Sequence, residues 1–220
     1  MPSVTRRLFL AGTTAAAAST GLTVVAGAQE AGGAASMSVE EALRLRQSTR
    51  RFSPAPLEEE QLLRLLWAAA GVNREEGDGR TAPAWRGARN VDLYVALEDG
   101  VHRYDPATNA LESVLSEDIR GEVSSASFIQ RAPAVLIYVS DRDRLIEAAG
   151  EESAGDEQAL AIGAHVNSAL MAQNVYLFSA AEGLGTVLIG GTADREAIAA
   201  ALSLPETQSV TYIQPVGVAR

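Results

Sequence analysis

Apolar residues recur with helical spacing from Asp156 to Glu182, the longest periodic segment of the chain. Asn167 and Asn174 fall within the apolar stripe, so the pattern predicts a long central helix whose amide side chains have hydrogen-bond partners. The run from Ala134 to Val139 is apolar at every position, which is typical of a central strand covered on both faces. These two segments are the expected centre of the fold.

Shorter helices are predicted from capping and periodicity. Ser38 and Glu41 have the spacing of a capping box and predict a helix as far as about Arg46. A second helix is expected from Leu57 to Ala70, where apolar residues occupy nearly all faces, so that it must be mostly buried. Two more helices are predicted over residues 119–128 and 195–202.

Strands separated by tight turns follow the polar segment in the first half of the chain. They form a predicted antiparallel meander over residues 91–97, 101–104 and 110–114, and a terminal strand is expected over 210–218. Residues 72–90 are polar and predict a long surface loop, a kind of loop that is often functional. The whole pattern predicts an α+β fold with helices packed around a central mixed, mainly antiparallel sheet.

The first residues have the charged, apolar and small side chains of an export signal, in that order. Thr5 to Leu10 contains a twin-arginine pair, an uncharged run follows to Val25, and Ala26 to Ala28 is a small-residue cleavage site. A buried helix or a membrane anchor is the alternative, but the run is short and weakly hydrophobic for a membrane span. The twin-arginine route carries folded proteins, which suggests a cofactor inserted before export.

The predicted organisation is therefore a signal over residues 1–28, a linker over 29–37 and one domain over 38–220, in a periplasmic or other extracytoplasmic location. The chain has no Cys, which excludes disulfides and thiolate chemistry, and only His102 and His165 are available for metal binding. Every basic residue is Arg. Without residues 1–28 there are 16 basic and 28 acidic residues, a balance of −12, so nucleic-acid binding by charge alone is not expected.

Residues Arg46 to Phe52 bring three guanidinium groups and two hydroxyls together where the first helix ends. Guanidinium forks match phosphate oxygens two at a time, so this segment is a candidate anion site. The alternative is a solvated basic helix end that complements the negative end of the helix dipole. The pattern G-x-G-x-x-G is absent, and a Rossmann dinucleotide domain is not predicted.

Five motifs, in this order, resemble the flavin-dependent nitroreductase family. They are Arg46 to Phe52, Arg80 to Pro83, the Asp92 to Asp105 hairpin, Gln173 to Thr186, and Gln214 to Gly217. Within the family the chain is most similar to the branch that includes the dehydrogenases of azoline-forming peptide-modification complexes and many exported relatives. The resemblance implies an α+β homodimer with one flavin mononucleotide (FMN) at each of two sites between the subunits.

The resemblance also implies which residues contact the flavin. Those that match the phosphate and ribityl contacts are Arg46, Ser48 and Arg50, with Gln47 and Thr49 between them. Those that match the backbone segment beside the isoalloxazine are Glu182, Gly183, Leu184 and Gly185. Arg220 falls where the family often has Lys or Arg near the phosphate.

The loop from Pro83 to Asn90 departs from the family pattern of Pro-Ser followed closely by Asn. Ala84 and Gly87 stand in the serine and asparagine positions. The sequence leaves open other contacts to the flavin ring: the amide of Asn90 if the loop shifts, a cation from Arg86 or Arg89 near the pyrimidine end, and a stacked Trp85, which is equally suited to packing.

The implied activity is that of an FMN-dependent oxidoreductase, which transfers hydride between NAD(P)H or another donor and a nitroaromatic, quinone or similar conjugated acceptor in a ping-pong cycle. Export favours a different donor, because NAD(P)H is scarce outside the cytoplasm. Two alternatives are an exported flavin-binding protein without turnover and a peptide-azoline dehydrogenase. A nucleic-acid partner and a stable membrane span are not expected.

Overall fold

A computed structural model describes residues 37–74, 76 and 79–220. The predicted signal and almost all of the predicted linker lie outside these residues. The helices are α1 (Val39–Leu45), α2 (Glu59–Ala70), α3 (Ser127–Gln130), α4 (Arg142–Ala149), α5 (Glu157–Ala181) and α6 (Arg195–Ala201), with short 3₁₀ turns at Trp85–Gly87 and Glu151–Ser153. The strands are β1 (Val72–Arg74), β2 (Gly79–Arg80), β3 (Val91–Leu97), β4 (Gly100–Asp105), β5 (Ala110–Leu115), β6 (Ala134–Asp141), β7 (Leu184–Thr186) and β8 (Gln208–Val218).

Six of these strands form one sheet in the order β5-β4-β3-β6-β8-β7, in which every neighbouring pair is antiparallel. A parallel bridge between Ser48 and Thr186 extends the sheet beyond β7 and makes it mixed. The predicted α+β class and mainly antiparallel sheet are confirmed. The meander β3-β4-β5 and the long terminal strand also lie where the sequence predicted them.

Strand β6 lies at the centre of the sheet and is buried on both faces. Leu136 and Tyr138 face the core that α2 and α5 cover, while Val135 and Ile137 face a second core that includes Ile198 of α6. All four strand residues have no exposed surface. This alternation explains the continuous apolar run, since both faces of a two-sided strand must be apolar.

Helix α5 has the predicted bounds because both of its ends have identifiable caps. The Asp156 side chain accepts a hydrogen bond from the Ala159 amide, and Gly183, just past the helix, has the left-handed backbone conformation (φ 70°) that ends it. The capping box of Ser38 and Glu41 likewise begins α1. Within the described residues no helix has both the length and the hydropathy needed to cross a membrane.

The predicted helix over residues 119–128 is wrong, since only Ser127–Gln130 is helical. Ile119 and Val123 are buried, as the apolar spacing suggested, but the chain between them forms turns. The side chain of Gln130 donates to the carbonyl oxygens of Gly121 and Ser124 at 3.1 and 3.0 Å. Hydrogen bonds from this side chain thus take the place of the backbone hydrogen bonds of a helix. The apolar residues are spaced as they are because they are buried in the tertiary structure, not because they form a helix.

Several further elements were not predicted. The segment over 72–90 is not a plain loop, because it contains the β1–β2 hairpin and the 3₁₀ turn at Trp85–Gly87. Helix α4 is amphipathic but short, and Asp141 caps its start by accepting from the Arg144 amide. Strand β7 has only three residues, too few to show a period of two, and pairs with the end of β8.

Candidate functional site

The segment Arg46–Phe52, here called the arginine segment, lies along the edge of the sheet at β7 and the end of β8. The amide of Thr49 donates to the carbonyl of Thr186 at 2.9 Å, and the amide of Ser53 donates to the carbonyl of Val218 at 2.8 Å. Phe52 forms a bridge with Ala219. Strand-like pairing therefore holds the segment against this edge of the sheet.

One side of the arginine segment faces Tyr176 of α5. The Arg46 guanidinium carbon lies 5.3 Å from the centroid of the tyrosine ring, and Ser48 Oγ lies 3.1 Å from the phenolic oxygen. That oxygen also accepts from the Leu188 amide at 2.8 Å. The tyrosine hydroxyl is thus free to donate to Ser48, which leaves the serine hydroxyl proton available to an anion.

Tyr176 also lines a cavity of about 210 Å³, together with residues of the arginine segment and of the chain after α5. Gln47 and Thr49 face Gly183 and Leu184 across it. A Cβ on Gly185 would lie 2.6 Å from Thr49 Cγ2, so only glycine permits this close approach. The structure thus brings Gln47 and Thr49 together with residues 183–185, which are parts of the two stretches that the sequence assigned to one site.

Arg50 and Arg220 meet in a different place. Four arginines and two phenylalanines line an open cleft of about 400 Å³, here called the cationic cleft; they are Arg50, Arg51, Phe52, Phe128, Arg131 and Arg220. The Arg220 amide donates to the Arg51 carbonyl at 3.2 Å, which ties the last residue to the arginine segment. Within the described residues the arginine side chains of the cleft form no ion pair with a carboxylate. Sequence reasoning missed Arg131, because only the fold carries it to this position.

The side chain of Glu182 is engaged by Arg64 of α2. Arg64 Nη1 donates to Glu182 Oε1 and Arg64 Nη2 donates to Glu182 Oε2, each at 2.8 Å, and the Arg64 guanidinium carbon lies 5.5 Å from the Phe178 ring centroid. The hydrogen bonds from Arg64 hold the pKa of Glu182 below its ordinary value. Gly183, the next residue, lines the neighbouring cavity.

The loop over 83–90 is pinned by a buried chain of amides. The Trp85 amide donates to Asn167 Oδ1 at 2.6 Å, Asn167 Nδ2 donates to Asn90 Oδ1 at 2.6 Å, and Asn90 Nδ2 donates to Ser140 Oγ at 2.8 Å. Asn90 has no exposed surface. Both polar atoms of the Asn90 side chain are thus hydrogen-bonded within this chain, and a contact of Asn90 with a flavin ring stays a prediction.

Trp85 packs on the first half of α5. A Cβ on Gly163 would lie 2.7 Å from its ring, and the Arg86 guanidinium carbon lies 5.0 Å from its ring centroid. Arg86 also donates to the carbonyl of Ala149 at 2.8 Å, so its cation is already in use. Gly87 follows in the left-handed region with open space around its Cβ position.

Within one chain, Trp85 and Gly87 do not meet the arginine segment. Trp85 contacts α5 at Gly163, whereas Ser48 contacts it at Tyr176, 13 residues further along. At about 1.5 Å per residue, this separation is roughly 20 Å along the helix. The two parts of the predicted site lie at opposite halves of α5.

The arrangement can bind an anion beside a flat, open backbone surface. The donor set around the arginine segment consists of guanidinium groups and hydroxyls, the groups that phosphate prefers. The space at the Cβ position of Gly183 is empty to 4 Å, which leaves one face of the chain after α5 accessible. These residues fit a planar molecule that carries a phosphate.

Comparison with known proteins shows the same fold throughout. Residues 43–218 match the model of the nitroreductase family. A provisionally named nitroreductase of Methanocaldococcus jannaschii is 31% identical over 168 residues, which cover 72% of this chain and 81% of that protein. The structure of a similarly named protein of Ralstonia eutropha is 36% identical, with a TM-score of 0.77 over 87% of this chain and 88% of the other. An NADPH:FMN oxidoreductase of Vibrio harveyi, in complex with NAD⁺, is 20% identical, with a TM-score of 0.61 over 82% and 68% of the two chains.

Proposed function

This chain belongs to the nitroreductase family, and from that premise we propose that it is an FMN-dependent oxidoreductase that passes electrons from NAD(P)H or another donor to a nitroaromatic, quinone or similar conjugated acceptor. The observation that carries this proposal is the meeting of the arginine segment with the chain after α5 at Gly183 to Gly185. The arginine segment, which can bind an anion, therefore lies next to an accessible stretch of backbone. Donor and acceptor bind in turn, as in a ping-pong cycle.

The phosphate of FMN is assigned to Arg46, Ser48 and Arg50. Tyr176 supports the first two through its ring and hydroxyl. Arg50 faces solvent at the start of the cationic cleft, where no described carboxylate competes for it. Arg220 lies in the same cleft and adds a fourth donor group.

The isoalloxazine ring is assigned to the backbone from Glu182 to Gly185. When bound, FMN supplies the electron-transfer chemistry, and this chain supplies binding and orientation. Arg64 keeps the Glu182 side chain turned to α2, and Thr49 contacts Gly185 closely enough to exclude any larger residue. No side chain is assigned a role as an obligate acid or base.

The separation of the Trp85 turn from the arginine segment supports a homodimer. The exposed residues of α5 include a stripe of Ile162, Val166, Ala169 and Gln173, with Ala161 and His165 beside it. Ile162 and Val166 are 49% and 39% exposed, unusual for large apolar residues of a central helix. We assign this stripe to a second copy of the chain.

An antiparallel pairing of two α5 helices completes the site. The midpoint between Gly163 and Tyr176 lies beside Ala169, within the stripe. A two-fold axis at that point places the Trp85 turn of one subunit against the Tyr176 region of its partner. Trp85 and Gly87 would then reach a flavin held by the other subunit, which accounts for both halves of the predicted site.

The donor and the cellular location are also part of the proposal. The Vibrio harveyi neighbour is named as an NADPH:FMN oxidoreductase, which supports a nicotinamide donor for the fold. The twin-arginine sequence at residues 5–10 supports export to an extracytoplasmic space, where another donor would substitute. Donor screening should therefore include reduced quinones and artificial dyes.

The test is the absorbance spectrum of the purified mature protein, with the cofactor identified after heat release. About one FMN per subunit, bleached by NAD(P)H or another donor and restored by an acceptor, is the expected result.

Changing Arg46 and Arg50 together to Ala should abolish flavin retention, while the same change at Arg44 and Arg103 should not. A yellow protein that no donor bleaches would indicate flavin binding without turnover, and a colourless protein that refuses added FMN would end the proposal.

A further inference from the structure

We infer that Gln47 and Ser179 hold the pyrimidine end of the flavin ring in the cavity of about 210 Å³ beside the arginine segment. This cavity, here called the neutral cavity, has walls that include Gln47, Thr49, Ser179, Gly183 and Leu184. The inference rests on the proposed function, which places the ring along the chain after α5. The pyrimidine end of an oxidised flavin carries two carbonyl oxygens with one N–H group between them, so it needs both hydrogen-bond donors and an acceptor from the protein.

The Ser179 hydroxyl is a buried polar group that has no hydrogen-bond partner among the described residues. Only 1% of this residue is exposed. Ser168 of the same helix differs, since its hydroxyl donates to the Ala164 carbonyl at 2.9 Å and lies 2.7 Å from the Thr211 hydroxyl. A buried hydroxyl that is bonded to neither its helix nor a neighbour destabilises the fold. Because Ser179 lines the neutral cavity, a ligand bound there would supply the missing partner.

Gln47 brings the complementary groups to the same cavity. Its side-chain amide has one acceptor oxygen and two N–H donors, and it forms no hydrogen bond with another described residue. Such an amide can pair with the flavin edge twice, by accepting from the N–H group and donating to one carbonyl, while Ser179 donates to the other carbonyl. The Thr186 hydroxyl, also in the cavity, is already used, because it donates to the Pro215 carbonyl at 2.9 Å.

The charge of the cavity fits the ring and not the phosphate. None of the described residues that line it is charged, and its walls include the apolar side chains of Leu45 and Leu184. The guanidinium groups of the arginine segment lie elsewhere, with Arg46 over the Tyr176 ring and Arg50 in the cationic cleft. An uncharged space with a few polar groups suits a flat, neutral molecule whose edge forms hydrogen bonds.

The size of the cavity favours one end of a ring system. One water occupies about 30 Å³ of liquid, so a space of about 210 Å³ is several times larger than a single bound water requires. Pockets that enclose a whole ligand have about 300–1,000 Å³, so the cavity is too small for a complete flavin. We therefore expect the pyrimidine end to enter the cavity and the remainder of the ring to lie outside it.

The experiment measures the dissociation constants of FMN and riboflavin for the flavin-free mature protein by quenching of flavin fluorescence. Riboflavin has the same ring as FMN but lacks the phosphate. Ser179→Ala and Gln47→Leu should each weaken both flavins by the same factor, about tenfold, because hydrogen bonding to the ring is lost. Arg50→Ala should weaken FMN alone. The matched control, Ser168→Ala, removes a buried hydroxyl outside the cavity and should leave both constants unchanged.

Two further measurements separate a contact with the ring from a structural role. The melting temperature of the flavin-free protein should stay constant or rise in Ser179→Ala, because an unpaired buried hydroxyl is removed, and should fall in Ser168→Ala. Riboflavin methylated at N3 lacks the central N–H group, so it should bind the unaltered protein at least about tenfold more weakly than riboflavin. Gln47→Leu should remove most of this difference.

Each other outcome has a distinct meaning. Unchanged flavin constants in both cavity variants would show that only water fills the cavity, which overturns this inference and leaves the proposed function intact. A loss confined to FMN also overturns it, because the variants would then act on the phosphate. Weaker NAD⁺ binding with unchanged flavin binding overturns it as well and gives the cavity to a nicotinamide carboxamide. Failure of both flavins to bind the unaltered chain removes the proposed function together with the inference.

Discussion

At the scale of single residues, Asn167 joins the loop over 83–90 to helix α5. Its amide oxygen accepts from the Trp85 amide and its amide nitrogen donates to Asn90, all within the buried interior. The oxygen and the nitrogen of the Asn167 side chain are thus both hydrogen-bonded, one to the Trp85 amide and the other to the Asn90 side chain. The position of the Trp85 turn, which we assign to the partner's flavin, is set by this single residue.

Changing Asn167 to Leu should destabilise the protein by about 2–5 kcal/mol, because the Trp85 amide and the Asn90 oxygen would lose their partner inside the core. Asn174→Leu is the matched control on the same helix. Asn174 makes one hydrogen bond, to the carbonyl of Ala68 at 2.9 Å, and is half-exposed, so its loss should cost only about 1 kcal/mol. Urea unfolding monitored by circular dichroism measures both. Equal losses would show that the amide chain is not the main support of the loop.

At the scale of elements, the contact between α2 and the end of α5 depends on one ion pair as well as on packing. Leu65 and Leu66 are fully buried against the α5 residues Met171 and Val175. Burial of this kind contributes about 1.5–3 kcal/mol per side chain, more than an exposed ion pair does. The bond between Arg64 and Glu182 therefore orients the chain after α5 more than it stabilises the fold.

The Arg64 and Glu182 pair also predicts a pH dependence. Because hydrogen bonding lowers the folded-state pKa of Glu182, its contribution is present above the unfolded-state value and is lost as pH falls through the folded-state value. Arg64→Met should therefore cost roughly 0.5–1 kcal/mol at about pH 7, a small figure because the Arg64 side chain is 48% exposed, and almost nothing at about pH 3. Chemical unfolding of both proteins across this range measures the difference. A gap that stays constant with pH would assign the effect to packing on Phe178 instead.

At the scale of the whole molecule, the central question is whether two copies share the site. Helix α5 exposes a stripe of residues, and the Trp85 turn lies roughly 20 Å along this helix from the residues to which we assign the flavin phosphate. Under the proposed function, one chain would therefore hold only part of the site. An isologous dimer would cover the exposed stripe and bring the two parts of the site together through one interface. The long helix is then an internal element of the assembly rather than a surface of the subunit.

Introducing a charge into this stripe should separate the subunits. Val166→Glu buries a carboxylate at the proposed interface, so we expect the molar mass from light scattering to halve and flavin retention to fall. Val114→Glu on edge strand β5 is the matched control, because that valine is also exposed, at 46% against 39%. The control should keep the mass and the flavin of the unaltered protein. A dimeric Val166→Glu protein with full flavin would place the interface elsewhere.

Part of the secondary structure could be predicted from the sequence, because it depends on interactions between residues that are close together in the chain. The capping box of α1, the period of α5 and the two-sided apolar run of β6 act within a few residues, and all three elements lie where they were predicted. The sequence also predicted an anion site at the arginine segment, because its donors lie close together in the chain, and that role stays a prediction. By contrast, the apolar spacing of residues 119–128 was misread as a helix, since burial alone can impose that spacing.

Only the tertiary structure decided which distant residues meet. Arg131 joins Arg220 in the cationic cleft, Arg64 holds Glu182, and Thr49 fits against Gly185 because the order of the strands and the packing of α2 on α5 bring these pairs together. Asn90, a free candidate in the sequence, is buried for the same reason. Contacts between residues far apart in the chain depend on the whole fold, which no local sequence pattern encodes. The sequence therefore showed the chemistry of each side chain but not the residue that it contacts.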